Sequence, residues 1–128
     1  MTEVTAQLND YRQSPRKVRI VADSIRGKNI AEARRRLGLL TKRATLPLQK
    51  LLSSAVSNAK DQGIAEDVLK VKSIEVNVGK ILYRRRPAAH GAAHPVRKRT
   101  SHVKIVLTAT KTESVKPATK KPKLKAKS

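Results

Sequence analysis

The feature that most constrains this chain is a long run of residues that contains cations but no acid. No Asp or Glu lies between Glu75 and Glu113, and residues 84–104 alone carry seven Lys and Arg. If this run pairs as strands, like charges lie close together without an internal carboxylate to neutralise them, which destabilises a ribbon in water. A stable strand pair therefore requires a surrounding polyanion that turns the repulsion into phosphate contacts. The alternative is a solvated, flexible basic loop.

Segments at the two ends of the acid-free run alternate apolar and polar residues, which is the pattern of half-buried strands. Their apolar positions are Ile74, Val76, Val78, Val103, Ile105 and Leu107, and a third alternating segment has Val4, Ala6 and Leu8. Pairing that continues through the run makes a hairpin over about residues 80–103, with its tip near Gly91. Extended backbone from Lys80 to Gly91 spans about 36 Å, whereas a domain of this size has a radius of gyration of about 13 Å. We therefore expect the hairpin to protrude.

Three helices are predicted between the N-terminal strand and the second strand. Ser14-Pro15 resembles an N-cap followed by a proline at the first helical position, and Gly27 is placed to end that helix. Asn29 followed by Glu32 resembles a capping box for the second helix, and the third is expected to begin near Thr45. The predicted class is α+β, with three helices packed on a small three-stranded antiparallel sheet and a long protruding β-hairpin.

The charge of the whole chain indicates the kind of partner to expect. Thirty Lys and Arg stand against nine Asp and Glu, a net charge of +21, and such a surface attracts polyanions. The only aromatic residues are Tyr11 and Tyr83, which disfavours a membrane-inserting helix and a protein that stacks single-stranded bases. We expect residues 1–110 to form one nucleic-acid-binding domain. Residues 111–128, with seven Lys and one Glu, are expected to form a disordered tail.

Catalytic and metal chemistry find little support in the sequence. There is no Cys, so thiolate ligands, disulfides and a Cys nucleophile are excluded. His90 and His94 are four residues apart, but Gly91 stands where a zinc-protease helix requires Glu, and only His102 remains as a third ligand. We expect neither an enzyme, nor a metal site, nor a cofactor.

Three sequence motifs, in the same order and spacing, resemble the L-twenty-two family of large-subunit ribosomal proteins in its bacterial form. They are Arg12-x-Ser14-Pro-Arg16-Lys17-Val18-Arg19-x-Val21-Ala22-Asp23-x-Ile25-Arg26-Gly27-Lys28, Ser54-Ala-Val-Ser-Asn-Ala59 and Arg97-Lys98-Arg99-Thr100-Ser101-His102. The resemblance covers roughly residues 4–110. It implies a structural constituent of the large ribosomal subunit that binds 23S-type rRNA, supports subunit assembly and works in the cytoplasm, in the ribosome.

The resemblance also implies which residues carry this function. The rRNA-binding residues would be Arg12, Ser14, Arg16, Lys17, Arg19, Arg26, Lys28, Lys80, Arg84, Arg85, Arg86, Arg97, Lys98, Arg99, Thr100, Ser101 and His102. The hairpin tip, which would line the nascent-peptide exit tunnel, would be Pro87, Ala88, Ala89, His90, Gly91, Ala92, Ala93, His94 and Pro95. The implied partners are 23S-type rRNA, neighbouring large-subunit ribosomal proteins and the nascent polypeptide, without a membrane. A general nucleic-acid-coating protein and a cationic membrane-active protein remain as alternatives.

Overall fold

The fold was analysed in a computed structural model that describes residues 2–110, so the tail predicted over 111–128 lies outside the described residues. Five strands and three α-helices occur in this part of the chain. In order they are β1 (Glu3–Tyr11), α1 (Pro15–Ile25), α2 (Ile30–Leu39), α3 (Thr45–Asp61), β2 (Leu69–Val78), β3 (Leu82–Pro87), β4 (Ala93–Lys98) and β5 (Ser101–Ala109). The predicted α+β class and the three helices are confirmed.

The five strands form two antiparallel sheets and not one sheet with a continuous extension. The first has the order β1-β5-β2, and the second contains only β3 and β4. Pairing of β2 with β5 ends at Val78 and Ser101, and pairing of β3 with β4 begins at Leu82 and Lys98. The predicted hairpin is therefore present as a separate pair of six-residue arms, each about 20 Å long. We call these arms and the turn between them the ribbon.

The hydrophobic core lies between the three-stranded sheet and the helices, which cover one of its faces. Inward strand residues such as Val4, Ile105 and Leu107 are almost fully buried, as are Val18 of α1 and Leu52 of α3. Complete burial of one such side chain contributes about 1.5–3 kcal/mol. Because α1 packs on β2 and α3 packs on β1, this core fixes the turn between β1 and α1, which carries the start of the first sequence motif.

Helix starts were predicted at the right residues, but the predicted capping bonds are absent. α1 begins at Pro15, and Asn29 stands at the N-cap of α2, yet neither Ser14 nor Asn29 forms a side-chain capping bond. The capping-box prediction is wrong because Glu32 lies 2.8 Å from Arg36 and 3.7 Å from Lys28. In these pairs both partners are ionised, whereas in a capping box only the carboxylate carries a charge.

The neck, residues 79–81 and 99–100, joins the ribbon to the body. The Gly79 N–H donates to the Thr100 carbonyl oxygen at 2.9 Å. The Thr100 hydroxyl donates to the Lys80 carbonyl oxygen at 2.5 Å, and Thr100 is only 3% exposed. A Cβ atom on Gly79 would lie 2.5 Å from the Thr100 hydroxyl oxygen, so only glycine permits this close approach.

We expect Gly79→Ala to lower the free energy of unfolding by about 1–3 kcal/mol, as overpacking does elsewhere, because the buried, hydrogen-bonded Thr100 cannot move aside cheaply. Chemical denaturation measures the effect. Gly38→Ala is the matched control, since nothing lies within 4 Å of a Cβ there and a helical Gly→Ala change stabilises by about 0.5–1 kcal/mol. Equal effects of the two substitutions would contradict the steric argument.

Candidate nucleic-acid interface

An open cavity of about 560 Å³ lies where the ribbon meets the body, and we call it the cationic cleft. Its lining residues are Arg12, Gln13, Ser14, Lys17, Arg43, Arg97, Lys98 and Arg99. Three segments contribute them: the β1–α1 turn with the first turn of α1, the connection before α3, and the end of β4 with the first residue of the neck that follows it. Six of the eight are Lys or Arg and none is acidic, so the cleft has the charge and the donors that phosphate groups require.

The start of α1 adds to the electrostatic character of the cleft. Pro15 is buried and occupies the first helical position, with Ser14 just before it. No acidic residue lies in the first turn of α1, so the partial positive charge of the helix N-terminus is not neutralised locally. The exposed Lys17 side chain stands on the same turn, and the helix end and the lysine together favour a bound anion.

The cleft brings together the first and the last sequence motif. Their residues Arg12 and Arg97, which both line it, are 85 positions apart in the sequence. Among the predicted rRNA-binding residues, the cleft collects Arg12, Ser14, Lys17, Arg97, Lys98 and Arg99. Arg16 and Lys80 are exposed outside its lining. Sequence reasoning missed Gln13 and Arg43, because neither belongs to a charge run and only the folding of three segments onto one another makes them neighbours.

Two predicted rRNA-binding residues, Arg19 in α1 and Arg26 directly after it, form hydrogen bonds to β2. Arg19 donates from Nε and Nη2 to the Val76 carbonyl oxygen, at 3.2 and 3.0 Å. Arg26 donates from Nη2 to the Ile74 carbonyl oxygen at 3.1 Å and pairs with Asp23 at 3.0 Å. The motif match could not reveal these bonds, because it gives residue types and not partners. Both side chains thus stabilise the docking of α1 on β2, but both remain exposed, so their contact with rRNA stays a prediction.

Replacing Arg19 by Ala is expected to lower the free energy of unfolding by about 1.5 kcal/mol, the lower end for a hydrogen bond to a charged group, because the helix loses both bonds to Val76. Thermal or chemical denaturation measures this loss. Arg16→Ala is a matched control on the same helix, since Arg16 is exposed and such surface changes stay within about 0.5 kcal/mol. A larger loss for Arg16 than for Arg19 would overturn the assignment.

Two residues in the C-terminal part of the last motif are buried within the domain. Thr100 is 3% exposed and Ser101 is fully buried, so their side chains are shielded from any ligand and belong to the neck and to β5. His102 is half-buried, and its Nδ1 accepts a hydrogen bond from the Asp10 N–H at 3.1 Å. Lys28, at the end of the first motif, is partly neutralised by Glu32 at 3.7 Å.

The register of the ribbon separates its cations from one another. Its cross-strand pairs are Leu82 with Lys98, Tyr83 with Arg97, Arg84 with Val96, Arg85 with Pro95, and Arg86 with His94. Each Lys or Arg of one arm thus faces a residue without a fixed charge. Like charges of the two arms do not lie directly opposite one another because the pairing centres on His90, one residue before Gly91. Ala89–Gly91 form a short 3-10 turn there.

The ribbon nevertheless presents cations on both of its faces. Successive side chains of a strand point to opposite faces, and directly opposite residues share a face. Arg84, Arg86 and Lys98 therefore lie on one face, and Arg85 and Arg97 lie on the other. All five are exposed, so phosphates can be contacted from two directions at once.

Three cations on α2 and α3 differ from those of the cleft because acids partly neutralise them. Arg34 and Lys60 both pair with Glu66, the latter at 3.3 Å, and Arg36 pairs with Glu32 at 2.8 Å. Burial would raise the pKa of the Glu32 carboxyl, but the hydrogen bond from Arg36 and the charges of its neighbours hold that pKa below its usual value. This side of the body is consequently less attractive to polyanions than the cleft.

No three His, Cys, Asp or Glu side chains within residues 2–110 come together as a potential metal site. None of the helices in the same range combines the length and the hydropathy that a bilayer crossing requires.

The fold and the cleft define a small basic α+β protein whose exposed surfaces are suited to a polyanion. The family model described as "Ribosomal protein L22p/L17e" matches residues 6–108, and the chain belongs to this family. The chain is 52% identical over 106 residues to "Large ribosomal subunit protein uL22" of Mesoplasma florum, covering 82% of this chain and 95% of that protein. It is 47% identical over 111 residues to the protein of the same name from Trichlorobacter lovleyi, covering 86% and 98%.

The comparisons confirm the resemblance derived from the three motifs. Membership in the family identifies the chain as a ribosomal protein and separates it from enzymes. The matched range of 6–108 contains the cleft, the neck and the whole ribbon.

Proposed function

We propose that this chain is a structural constituent of the large ribosomal subunit that binds 23S-type rRNA and supports subunit assembly in the cytoplasm. The observation that carries the proposal is the cationic cleft, which gathers six Lys and Arg from three segments without an acid. No acid within the cleft neutralises its charge. RNA phosphates can neutralise it, and their binding releases counterions. The family and the names of its relatives point to the same subunit.

The ribbon is proposed to enter the RNA and to be held there from both sides. Fixed cations on its two faces contact phosphates of two RNA segments. These contacts stabilise the ribbon, because an isolated two-stranded pair is marginally stable in water. The cleft at its base holds a third segment, so the angle at which the ribbon leaves the body is set by the neck and by RNA together. Neighbouring large-subunit ribosomal proteins are the further partners that this location implies.

The tip from Pro87 to Pro95 is proposed to line the nascent-peptide exit tunnel. Within it the Ala88 N–H donates to the Ala92 carbonyl oxygen at 2.8 Å, which closes a compact loop. Its small side chains occupy little space, and it carries no Lys or Arg. A tunnel wall of this kind accommodates a nascent polypeptide without trapping its acidic residues.

Sedimentation of the tagged, full-length chain on sucrose gradients tests the proposal. We expect the chain in the large-subunit fraction, and we expect it to remain there at moderate salt. A general nucleic-acid-coating protein would instead bind DNA and RNA alike and dissociate steeply as salt rises. A membrane-active protein would float with vesicles of anionic lipid, and either result would refute the proposal.

A further inference from the structure

Tyr11 connects two of the three segments that form the cationic cleft. It ends β1, is half-buried and packs against the hydrophobic core. Its hydroxyl donates to Gln13 Oε1 at 2.8 Å and lies 3.5 Å from the Arg43 carbonyl oxygen. In the backbone, the Gln13 N–H donates to the Tyr11 carbonyl oxygen at 2.8 Å. Tyr11 therefore holds the turn that carries Arg12 and Gln13 and lies against the connection that carries Arg43.

The hydrogen bond from Tyr11 decides which end of the Gln13 amide is available to a ligand. A glutamine amide has one acceptor oxygen and two N–H donors. Because Oε1 is occupied by the tyrosine hydroxyl, the amino group is the end left to face other partners. The remaining lining residues are Lys, Arg and the Ser14 hydroxyl, so the cleft then contains donors and no fixed acceptor directed at an anion.

The phenol can perform this task only while it keeps its proton. Burial raises the pKa of Tyr11 above its usual value, and the nearby charge of Arg43 opposes this shift only in part. Tyr11 thus remains a hydroxyl donor throughout the physiological range. If the amide turned over, its oxygen would face the cleft and repel a phosphate.

We propose that Tyr11 is a positioning residue that orients the Gln13 amide so that the cationic cleft offers only donors to RNA phosphates. The inference rests on the proposed function for the identity of the polyanion. It is independent of that function in its chemistry, because any phosphate-rich anion that enters the cleft meets the same donors.

The test compares Tyr11→Phe with Ser57→Ala, which removes an exposed hydroxyl from α3, in the full-length chain. The probes are 23S-type rRNA and inorganic tripolyphosphate. We expect Tyr11→Phe to weaken binding of both probes about 3- to 10-fold, the equivalent of one lost hydrogen bond, with an unchanged salt slope because no cation is removed. Ser57→Ala is expected to bind both probes as the unmodified chain does.

A Gln13→Ala background separates positioning from a merely structural effect. If Tyr11 acts through the amide, Tyr11→Phe has no further effect on affinity in that background. An equal loss of affinity in both backgrounds, or a changed salt slope, overturns the inference.

The two probes separate this inference from the proposed function. Should the unmodified chain bind tripolyphosphate in a Tyr11-dependent way but show no preference for 23S-type rRNA, the proposed function fails and the inference stands. Should rRNA bind without dependence on Tyr11, the inference fails alone. If neither probe binds, the cleft is not an anion site and both are refuted.

Discussion

Simultaneous replacement of Arg12, Lys17 and Arg43 by Gln is expected to weaken binding to 23S-type rRNA on the order of 100-fold at 0.15 M salt. It should also reduce the slope of log affinity against log salt by about 3, because each lost phosphate contact removes nearly one unit. All three side chains line the cationic cleft from the body side. Filter binding or fluorescence titration over a range of salt concentrations gives both quantities.

The matched control replaces Arg34, Lys60 and Lys72 by Gln, which removes the same charge from the chain. Each of these cations is paired with an acid, Glu66 for the first two and Glu3 for the third. Their contribution to RNA binding is expected to be small, and exposed pairs contribute only about 0–1 kcal/mol each to stability. Equal losses of affinity in the two triple variants would show that net charge alone, and no defined cleft, governs binding.

The second large effect concerns the division of labour along the ribbon. Replacing the six cations of its arms and neck by Ala is expected to abolish stable incorporation into the large subunit, because the ribbon then lacks phosphate contacts on both faces. These residues are Arg84, Arg85, Arg86, Arg97, Lys98 and Arg99. Incorporation is measured by sucrose-gradient sedimentation of ribosomal subunits from cells that express only the variant.

The companion variant shortens the tip and leaves the arms intact. Replacing residues 88–92 by Asn-Gly keeps Pro87 and Ala93 paired, since this dipeptide forms the tight turn that two-residue hairpins prefer. We expect normal incorporation, together with altered passage of stalling nascent peptides. If this variant blocks assembly while the six-fold Ala variant incorporates normally, the proposed division of labour is wrong.

Elements with strong local patterns were predictable, because their signals lie within a few residues. The sequence correctly predicted β5 from the alternation at Val103 and Ile105. It also predicted the start of α1 from Pro15 and the end of α1 from Gly27. The order of motifs likewise indicated the family. These features depend on local backbone preference and on burial of one face, which single-sequence reasoning captures.

The partners of individual side chains within the fold could not be predicted from the sequence. The sequence indicates a surface cation at Arg19. Only the docking of α1 on β2 reveals that its guanidinium donates hydrogen bonds to the Val76 carbonyl oxygen. The sequence suggests polar contacts for Thr100 and Ser101, yet Thr100 is buried beside Gly79 and Ser101 is buried at the start of β5. Arg43 gave no signal, because its importance arises from tertiary proximity to the β1–α1 turn and to the end of β4.

The offset pairing of the ribbon also has a consequence for how the newly made chain avoids error. A two-residue slip that moved the turn centre from His90 to Gly91 would place Arg84 opposite Lys98 and Arg85 opposite Arg97. Directly opposed like charges destabilise a strand pair, whereas the observed register contains none among its paired residues. Electrostatic repulsion therefore disfavours the slipped register relative to the observed one, even before RNA binds.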